Sequence, residues 1–383
     1  MQLGAEYVRI LIGADIVPTE SNFKLFSAGN VKALVGSELS GVLSSANYRI
    51  FNLEVPLTNV KKPIFKCGPN LIAPEECAIG YKALGVDLLT LANNHILDQG
   101  VQGLNNTLKV LERANIAYTG VGQTLEEAIK PYVFRFGDKT IGVYACAEHE
   151  FSIASEHTAG ANPIDWLESP DHVAALKRRC DFVIVLYHGG KEHYRYPSPN
   201  VQKVCRKLVD KGADLVVCQH SHCIGCEEKY QGATIVYGQG NFLFDDSESE
   251  FWQTSLLIVL DEELSVSYIP LQKNKNAVQI AEGENAQKIL NDFRMRSEQI
   301  HDSEFVETMY NKFAQEMLGM YLSEFTSKNR NIIFRVINRL TGRKWTRILE
   351  KRISRDQKLK MLNFVDCEAH RELLVKWLNN ACR

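Results

Sequence analysis

An α/β body built in layers, followed by a helical extension, is what this sequence predicts, and three observations predict it. From residue 8 to about residue 271, short Val/Ile/Leu runs alternate with amphipathic stretches of helix length, the pattern of strands and helices packed in layers. Several of those runs end in Asp, Glu, Asn or His, and in open α/β sheets the carboxyl ends of the strands open into the binding crevice. Beyond residue 272 the character changes to long helical periodicity, with Ile332, Ile333, Val336, Ile337 and Leu340 at helical spacing.

In chain order, a strand at 9–12 runs into Gly13-Ala14-Asp15, and a second at 48–51 runs into Asn52 and Glu54. A helix at 74–84 precedes the strand 86–91, which ends in Asn93-Asn94-His95. After a helix at 103–114, a helix at 165–179 leads to the strand 183–187 and His188, and a helix at 198–211 leads to the strand 214–217 and His220-Ser221-His222. The runs 234–237, 255–260 and 265–269 have no helices between them and read as antiparallel strands, so the body is not a purely doubly wound sheet. There is no internal repeat and no low-complexity tract. Because single cores stop growing near roughly 250–300 residues, the 383-residue chain divides into a body, 1–272, and a helical, basic extension, 273–383.

The composition, 45% hydrophobic and 23% charged, is that of an ordinary globular protein. Ten scattered cysteines read as free thiols in a reducing compartment rather than as a disulfide framework. The amino terminus has no basic-then-apolar leader, and no run approaches about 18 apolar residues, so the expected location is cytoplasmic, with peripheral membrane attachment as an option. Formal net charge is -2, yet between Lys328 and Lys360 twelve basic residues face only Glu350 and Asp356. A helix with Arg335, Arg339 and Arg343 beside an apolar stripe packs on the body, lies on an anionic membrane, or docks a polyanion or a synthase. Nucleic acid is not expected, since no recognition fold accompanies the charge.

The strand ends bring together oxygen and imidazole donors, a set suited to Mn, Fe, Zn or Mg rather than to a thiolate-bound structural ion. One histidine alone is more often a satisfied core or surface group; four at strand ends reverse that balance. His220 and His222 would alternate faces on an extended strand, so their joint use requires a turn just after Cys218. Asp98 either orients His95 or caps the helix beginning near Gly100, with capping favoured. Glu192 and His193 can reach substrate or sit in a solvated loop, and Lys66 and Arg195 are candidate anion contacts. Cys223-Ile224-Gly225-Cys226 lacks the second pair a structural zinc site needs, and Glu148-His149-Glu150 lacks the second histidine of H-E-x-x-H because position 153 is Ile153. Neither a Walker loop nor a dinucleotide fingerprint follows any strand.

Six ordered motifs between residues 8 and 245 resemble the capsule-synthesis CapA, or poly-gamma-glutamate biosynthesis, family: Gly13-Ala14-Asp15; Asn52-Leu53-Glu54; the stretch 83–100 containing Leu91-Ala92-Asn93-Asn94-His95; His188-Gly189-Gly190 with Glu192; His220-Ser221-His222; and Tyr237-Gly238-Gln239-Gly240-Asn241-Phe242. That family is similar to the calcineurin-like metallophosphatases, so the resemblance implies a four-layer αββα sandwich with two divalent metal ions. It implies that Asp15 and His222 hold one ion, that Glu54 bridges, and that Asn94, His188 and His220 hold the other. His95, with Asp98, is the implied general acid or phosphate contact, and Asn52, Glu192 and Asn241 are expected to face substrate. His188-Gly189-Gly190 stands where the family has His-Trp-Gly, and the Asp-x-His opening of ordinary metallophosphatases is reduced to Gly13-Ala14-Asp15. Two cations roughly 3.5–4 Å apart suit hydrolysis or transfer at phosphorus or a carbonyl. The expected function is thus metal-dependent hydrolysis or transfer in the biosynthesis of a capsule, poly-gamma-glutamate or another anionic polymer, on a phosphorylated or glutamyl substrate. The alternatives are a non-catalytic accessory protein and a small-molecule phosphoesterase.

Overall fold

The computed structural model describes residues 9–245, 247–325, 353–366, 370, 371, 374, 375 and 378. Its first half carries strands β1 (Ile10–Val17), β2 (Tyr48–Asn52), β3 (Leu88–Thr90), β4 (Ala117–Thr119), β5 (Val121–Gly122), β6 (Tyr132–Phe136), β7 (Lys139–Ala147) and β8 (Gly160–Ala161). Its second half carries β9 (Phe182–His188), β10 (Leu215–Gln219), β11 (Glu227–Tyr230), β12 (Ala233–Tyr237), β13 (Asn241–Phe244), β14 (Thr254–Leu260), β15 (Val266–Asn274) and β16 (Ala277–Ile280). The helices that matter for the layers are α1 (Phe23–Ser27), α2 (Val31–Ser45), α3 (Ala78–Ala83), α4 (Gly100–Ala114), α5 (Leu125–Ala128), α6 (Glu168–Lys177), α7 (Pro199–Asp210) and α8 (Gly283–Gln299).

One sheet runs β16-β15-β14-β1-β2-β3-β4, with β13 paired to β1; the other runs β11-β12-β10-β9-β7-β6. Alternation along the strands shows how they stack. Ile10 and Ile12 of β1 share a core with Ile184 and Leu186 of β9 and with Leu215 and Val217 of β10. Leu11 of β1 faces the other way, toward Leu34 and Leu39 of α2 and Leu104 and Leu111 of α4. In β9, Val183 and Val185 turn outward against Val173 of α6 and Leu208 of α7. Because successive strand residues point to opposite faces, this is two sheets packed face to face with helices outside both, the four-layer αββα sandwich expected.

The four helices expected at 74–84, 103–114, 165–179 and 198–211 are present as a short 3-10 turn plus α3, and as α4, α6 and α7. Ser198 caps α7 by accepting from the Val201 N–H at 3.1 Å, with Pro199 in the first turn. One expectation is corrected: β12 pairs in parallel with β10 and is antiparallel only to β11, because the edge hairpin, not the absence of a helix, sets the direction. The 272 boundary falls within β15, and α8 buries Ile289 and Phe293 with Leu256 and Ile224 of the body. The chain divides into compact units 1–306 and 307–383. Of the basic segment 328–360, residues 328–352 lie outside the described residues. No described helix is long and apolar enough to cross a membrane.

Candidate metal centre

β1 continues through the site because it changes partners there. It pairs with β2 and β14 up to Ile12, then shifts register so that Asp15 lies opposite Asn52 on β2 and Asn241 on β13. Gly13 permits the shift: a Cβ there would stand 2.0 Å from Cε1 of the Phe51 ring. β2 ends at Asn52, delivering Glu54 two residues later; β3 leads to Asn94, β9 to His188, and β10 to His220 and His222.

The turn that the two histidines require lies at the residues themselves. β10 extends to Gln219, one residue past the expected point, and His220 and His222 then take φ of 84° and 52°. Left-handed backbone at a non-glycine residue is uncommon and costs of order 1–3 kcal/mol. Here it turns both imidazoles to the cluster.

His188 Nε2 lies 3.1 Å from Asn94 Oδ1, 3.1 Å from His220 Nδ1 and 3.2 Å from Glu54 Oε1. Donors held at about 2.0–2.2 Å from a common cation stand roughly 3–3.5 Å apart, the spacing observed. Asp15 Oδ2 lies 3.6 Å from His222 Nδ1. Glu54, His188 and His220 form one metal-capable group and Asp15, Glu54 and His222 another, each with its donor atoms within 4.8 Å of one another. Glu54 belongs to both. It is fully buried, and neither of its oxygens has a hydrogen-bond partner; Asp15 Oδ2 is likewise unbonded. Buried carboxylate oxygens without donors are costly, so these atoms fit a cation. All six residues expected as ligands are brought together.

The electrostatics follow from burial and proximity. Burial alone would raise the Asp15 carboxyl, but the neighbouring imidazoles of His222, 3.6 Å from Oδ2, and of His188 hold it below its ordinary value. Burial pulls His222 down, yet the charges of Glu54 and Asp15 outweigh it and push it up to about 9. His188 is raised in the same way, against burial, chiefly by Glu54, whereas His220 is pushed well down by burial and by His188 and His222. Stability and ion binding should therefore respond to pH in opposite senses. Relative to an unfolded imidazole near 6.5, His222 contributes stability to the ion-free protein that is fully present below about pH 6.5 and lost as pH rises through about 9. Ion binding needs the deprotonated imidazole and so strengthens with pH over that interval. Thermal melts in chelator and in Mn²⁺ should diverge between pH 6.5 and 9; parallel curves would refute the coupling.

Around the cluster lies a frame of amides. Asn52 Nδ2 donates to Asp15 Oδ1 at 2.8 Å and lies 3.3 Å from His188 Nδ1, while its Oδ1 accepts from Asn93 and Thr90. Asn52 is fully buried, so it orients Asp15 and His188 and does not face substrate as expected. Glu150 accepts from Asn94 Nδ2 at 3.0 Å, turning Oδ1 of Asn94 toward His188. Sequence reasoning missed Asn93 and Glu150. Asn93 was legible only as part of its motif, and Glu150 only within Glu148-His149-Glu150, set aside because position 153 is Ile153.

His95 stands beside this frame with Nδ1 2.6 Å from Asp98 Oδ2. Asp98 also accepts the Leu71 N–H at 2.6 Å and is ion-paired through Oδ1 with Lys66. The capping role favoured for Asp98 is corrected: Gln99 is the N-cap residue of α4 and makes no side-chain cap, because the Asp98 carboxylate is already committed to His95, Lys66 and Leu71. Lys66 is buried in that pair and is not a free anion contact. Arg195 donates to the Ile224 carbonyl and to Glu250 and lies over the Phe251 ring. Glu192 is exposed. His193 accepts from Trp252 Nε1 at 2.9 Å, and the Trp252 ring lies 4.7 Å from that of His222; this aromatic wall was not foreseen beyond His193. Asn241 sits in the cluster, with Oδ1 2.8 Å from His222 Nδ1. Cys223 and Cys226 are buried free thiols, Cys223 pushed up to about 11 by burial.

Stacked sheets, outer helices and ligand-type side chains at the strand ends make this a metallophosphatase-like sandwich. Within that class, the chain belongs to the family described as bacterial capsule synthesis protein PGA_cap, which it matches over residues 26–246. It is 31% identical over 222 residues to the capsule biosynthesis protein CapA of Bacillus anthracis, covering 54% of this chain and 53% of that protein. It is 29% identical over 211 residues to the PGA biosynthesis protein CapA of Bacillus subtilis, covering 53% and 55%. A "Probable polyglutamine synthesis accessory protein" of Mycobacterium tuberculosis is 32% identical over 176 residues, covering 43% and 46%. The chain thus spans about half the length of the curated relatives it matches. Among solved structures it is similar to a novel phosphatase from Mycoplasma pneumoniae, at 14% identity and a TM-score of 0.44, covering 70% of this chain and 95% of that one. A hypothetical protein from Thermus thermophilus is similar at 13% identity and a TM-score of 0.45, covering 70% and 100%.

Proposed function

We propose that this protein is a metal-dependent hydrolase acting in the formation or processing of a capsule, poly-gamma-glutamate or another anionic polymer. The observation that carries the reading is Glu54, a buried carboxylate with both oxygens unbonded, shared by two groups of ligand-type side chains. Asp15, Glu54 and His222 would hold one divalent ion, and Glu54, Asn94, His188 and His220 the other. Bound there, the pair supplies electrostatic stabilisation to attacking and leaving oxygens at phosphorus or a carbonyl. The chain's own part is to hold and move a proton: Asp98 fixes the Nδ1 side of His95, which leaves Nε2 as the nitrogen that protonates the leaving group. Protein purified without chelator should carry two divalent ions per chain by elemental analysis. It should also cleave a phosphoester or γ-glutamyl amide only when loaded. A chain that takes up none of Mn²⁺, Fe²⁺, Zn²⁺ or Mg²⁺ overturns the reading.

A second reading, a non-catalytic accessory protein, is favoured by the basic composition of 328–360 and by the description of the Mycobacterium tuberculosis relative as an accessory protein. On that reading the segment docks an anionic polymer, a membrane surface or a synthase. Truncation after Ser327 should leave ion content unchanged and weaken binding to anionic vesicles or polymer in a salt-dependent way. Binding as tight as that of the full chain removes the docking role.

A further inference from the structure

We infer that Asn241 is a ligand, through its side-chain oxygen, of the ion held by Asp15, Glu54 and His222; the inference rests on the metal-centre reading above. The two halves of the cluster are unequal without it. The His188 side has four protein donors, Glu54, Asn94, His188 and His220, whereas the Asp15 side has three. Past Asp15, β1 continues into Ile16 and Val17, both apolar and buried, which offer nothing to a cation.

Asn241 reaches the gap from the neighbouring strand. It pairs with Asp15 in the parallel register of β1 and β13, and Gly240, with φ of 80°, turns the chain into that strand. Its Oδ1 lies 2.8 Å from His222 Nδ1, the nitrogen that is 3.6 Å from Asp15 Oδ2. On the other side Asn94 Oδ1 lies 3.1 Å from His188 Nε2, so each half presents an amide oxygen beside an imidazole nitrogen and the shared carboxylate.

The simpler role, accepting a proton from His222, leaves two facts unexplained. Asn241 is 6% exposed and its Nδ2 has no hydrogen-bond partner, although a residue placed only for hydrogen bonding would be expected to satisfy its own donors. The nitrogen that would carry the proton is also the one turned to Asp15, where a cation requires its lone pair. An amide oxygen is a hard, neutral donor of the kind Mn²⁺ and Mg²⁺ accept, and it adds no charge to a site already holding two carboxylates.

The test is calorimetric titration of the chelator-treated full chain with Mn²⁺, comparing wild type, Asn241→Ala and Asn241→Asp, with thermal melts as a control on folding. Wild type should bind two ions. In Asn241→Ala one affinity should be unchanged and the other weakened by at least 10–100-fold, the range seen even for partners that only support a ligand. Asn241→Asp, which puts a carboxylate oxygen at the same point, should bind both ions at least as tightly as wild type. Two unchanged affinities in Asn241→Ala, with wild type binding two ions, overturn this inference alone. A wild-type chain that binds no ion overturns the metal-centre reading with it. Should Asn241→Ala fail to fold, Asn241→Asp decides: weaker binding of either ion counts against the ligand role.

Discussion

Replacing Glu54 by Gln should remove ion binding at one half of the cluster, weaken it at the other, and reduce turnover to background. Glu54 is the one residue common to both metal-capable groups, and an amide cannot supply negative charge to two cations. The effect can be read without a substrate. At an ion concentration one hundred times its dissociation constant, a bound ion stabilises a fold by about 2.7 kcal/mol. Wild-type protein should show a divalent-induced rise in melting temperature that Glu54→Gln lacks. A variant that keeps the full ion-induced shift would show that the two groups do not share this carboxylate.

His95→Ala should do the opposite: retain both ions and lower turnover by about 10²–10⁴-fold, the usual worth of a positioned acid or base. His95 is tied to Asp98 rather than to the cluster, so its loss leaves Glu54, His188, His220 and Asp15 in place. Elemental analysis beside steady-state kinetics separates the outcomes. Ion loss in His95→Ala equal to that in His188→Ala would move His95 into the ligand set, and unchanged turnover would end its catalytic role.

Much of this site was legible because parallel strands buried on both faces read as continuous apolar runs, and the residues just past each run are delivered to the same edge of the sheet. Asp15, Glu54, Asn94, His188, His220 and His222 could be picked out on that ground and from motif order. The residues misjudged are those whose role depends on a distant neighbour. Asn52 looked available to substrate but is enclosed by Asp15, His188, Thr90 and Asn93. Asp98 has the placing of a helix cap, yet Lys66 and Leu71, brought in by the 62–71 loop, hold it against His95. Glu150 could not be assigned, because nothing in the sequence around it says that it meets Asn94.

The sequence by itself determined the layered α/β body, the helices α4, α6 and α7, and the kinds of donor at the strand ends, since apolar periodicity and chemistry at a strand terminus are local properties. Only the tertiary structure decided which donors meet. Asp15 lies beside Asn241 although more than two hundred residues separate them, and Glu54 serves both halves of the cluster. The left-handed turns at His220 and His222 swing both rings to one side. Each depends on strand register and on the stacking of one sheet over another. A shift of a single residue would send every side chain of a strand to the opposite face, and no local pattern encodes which distant strand sits opposite.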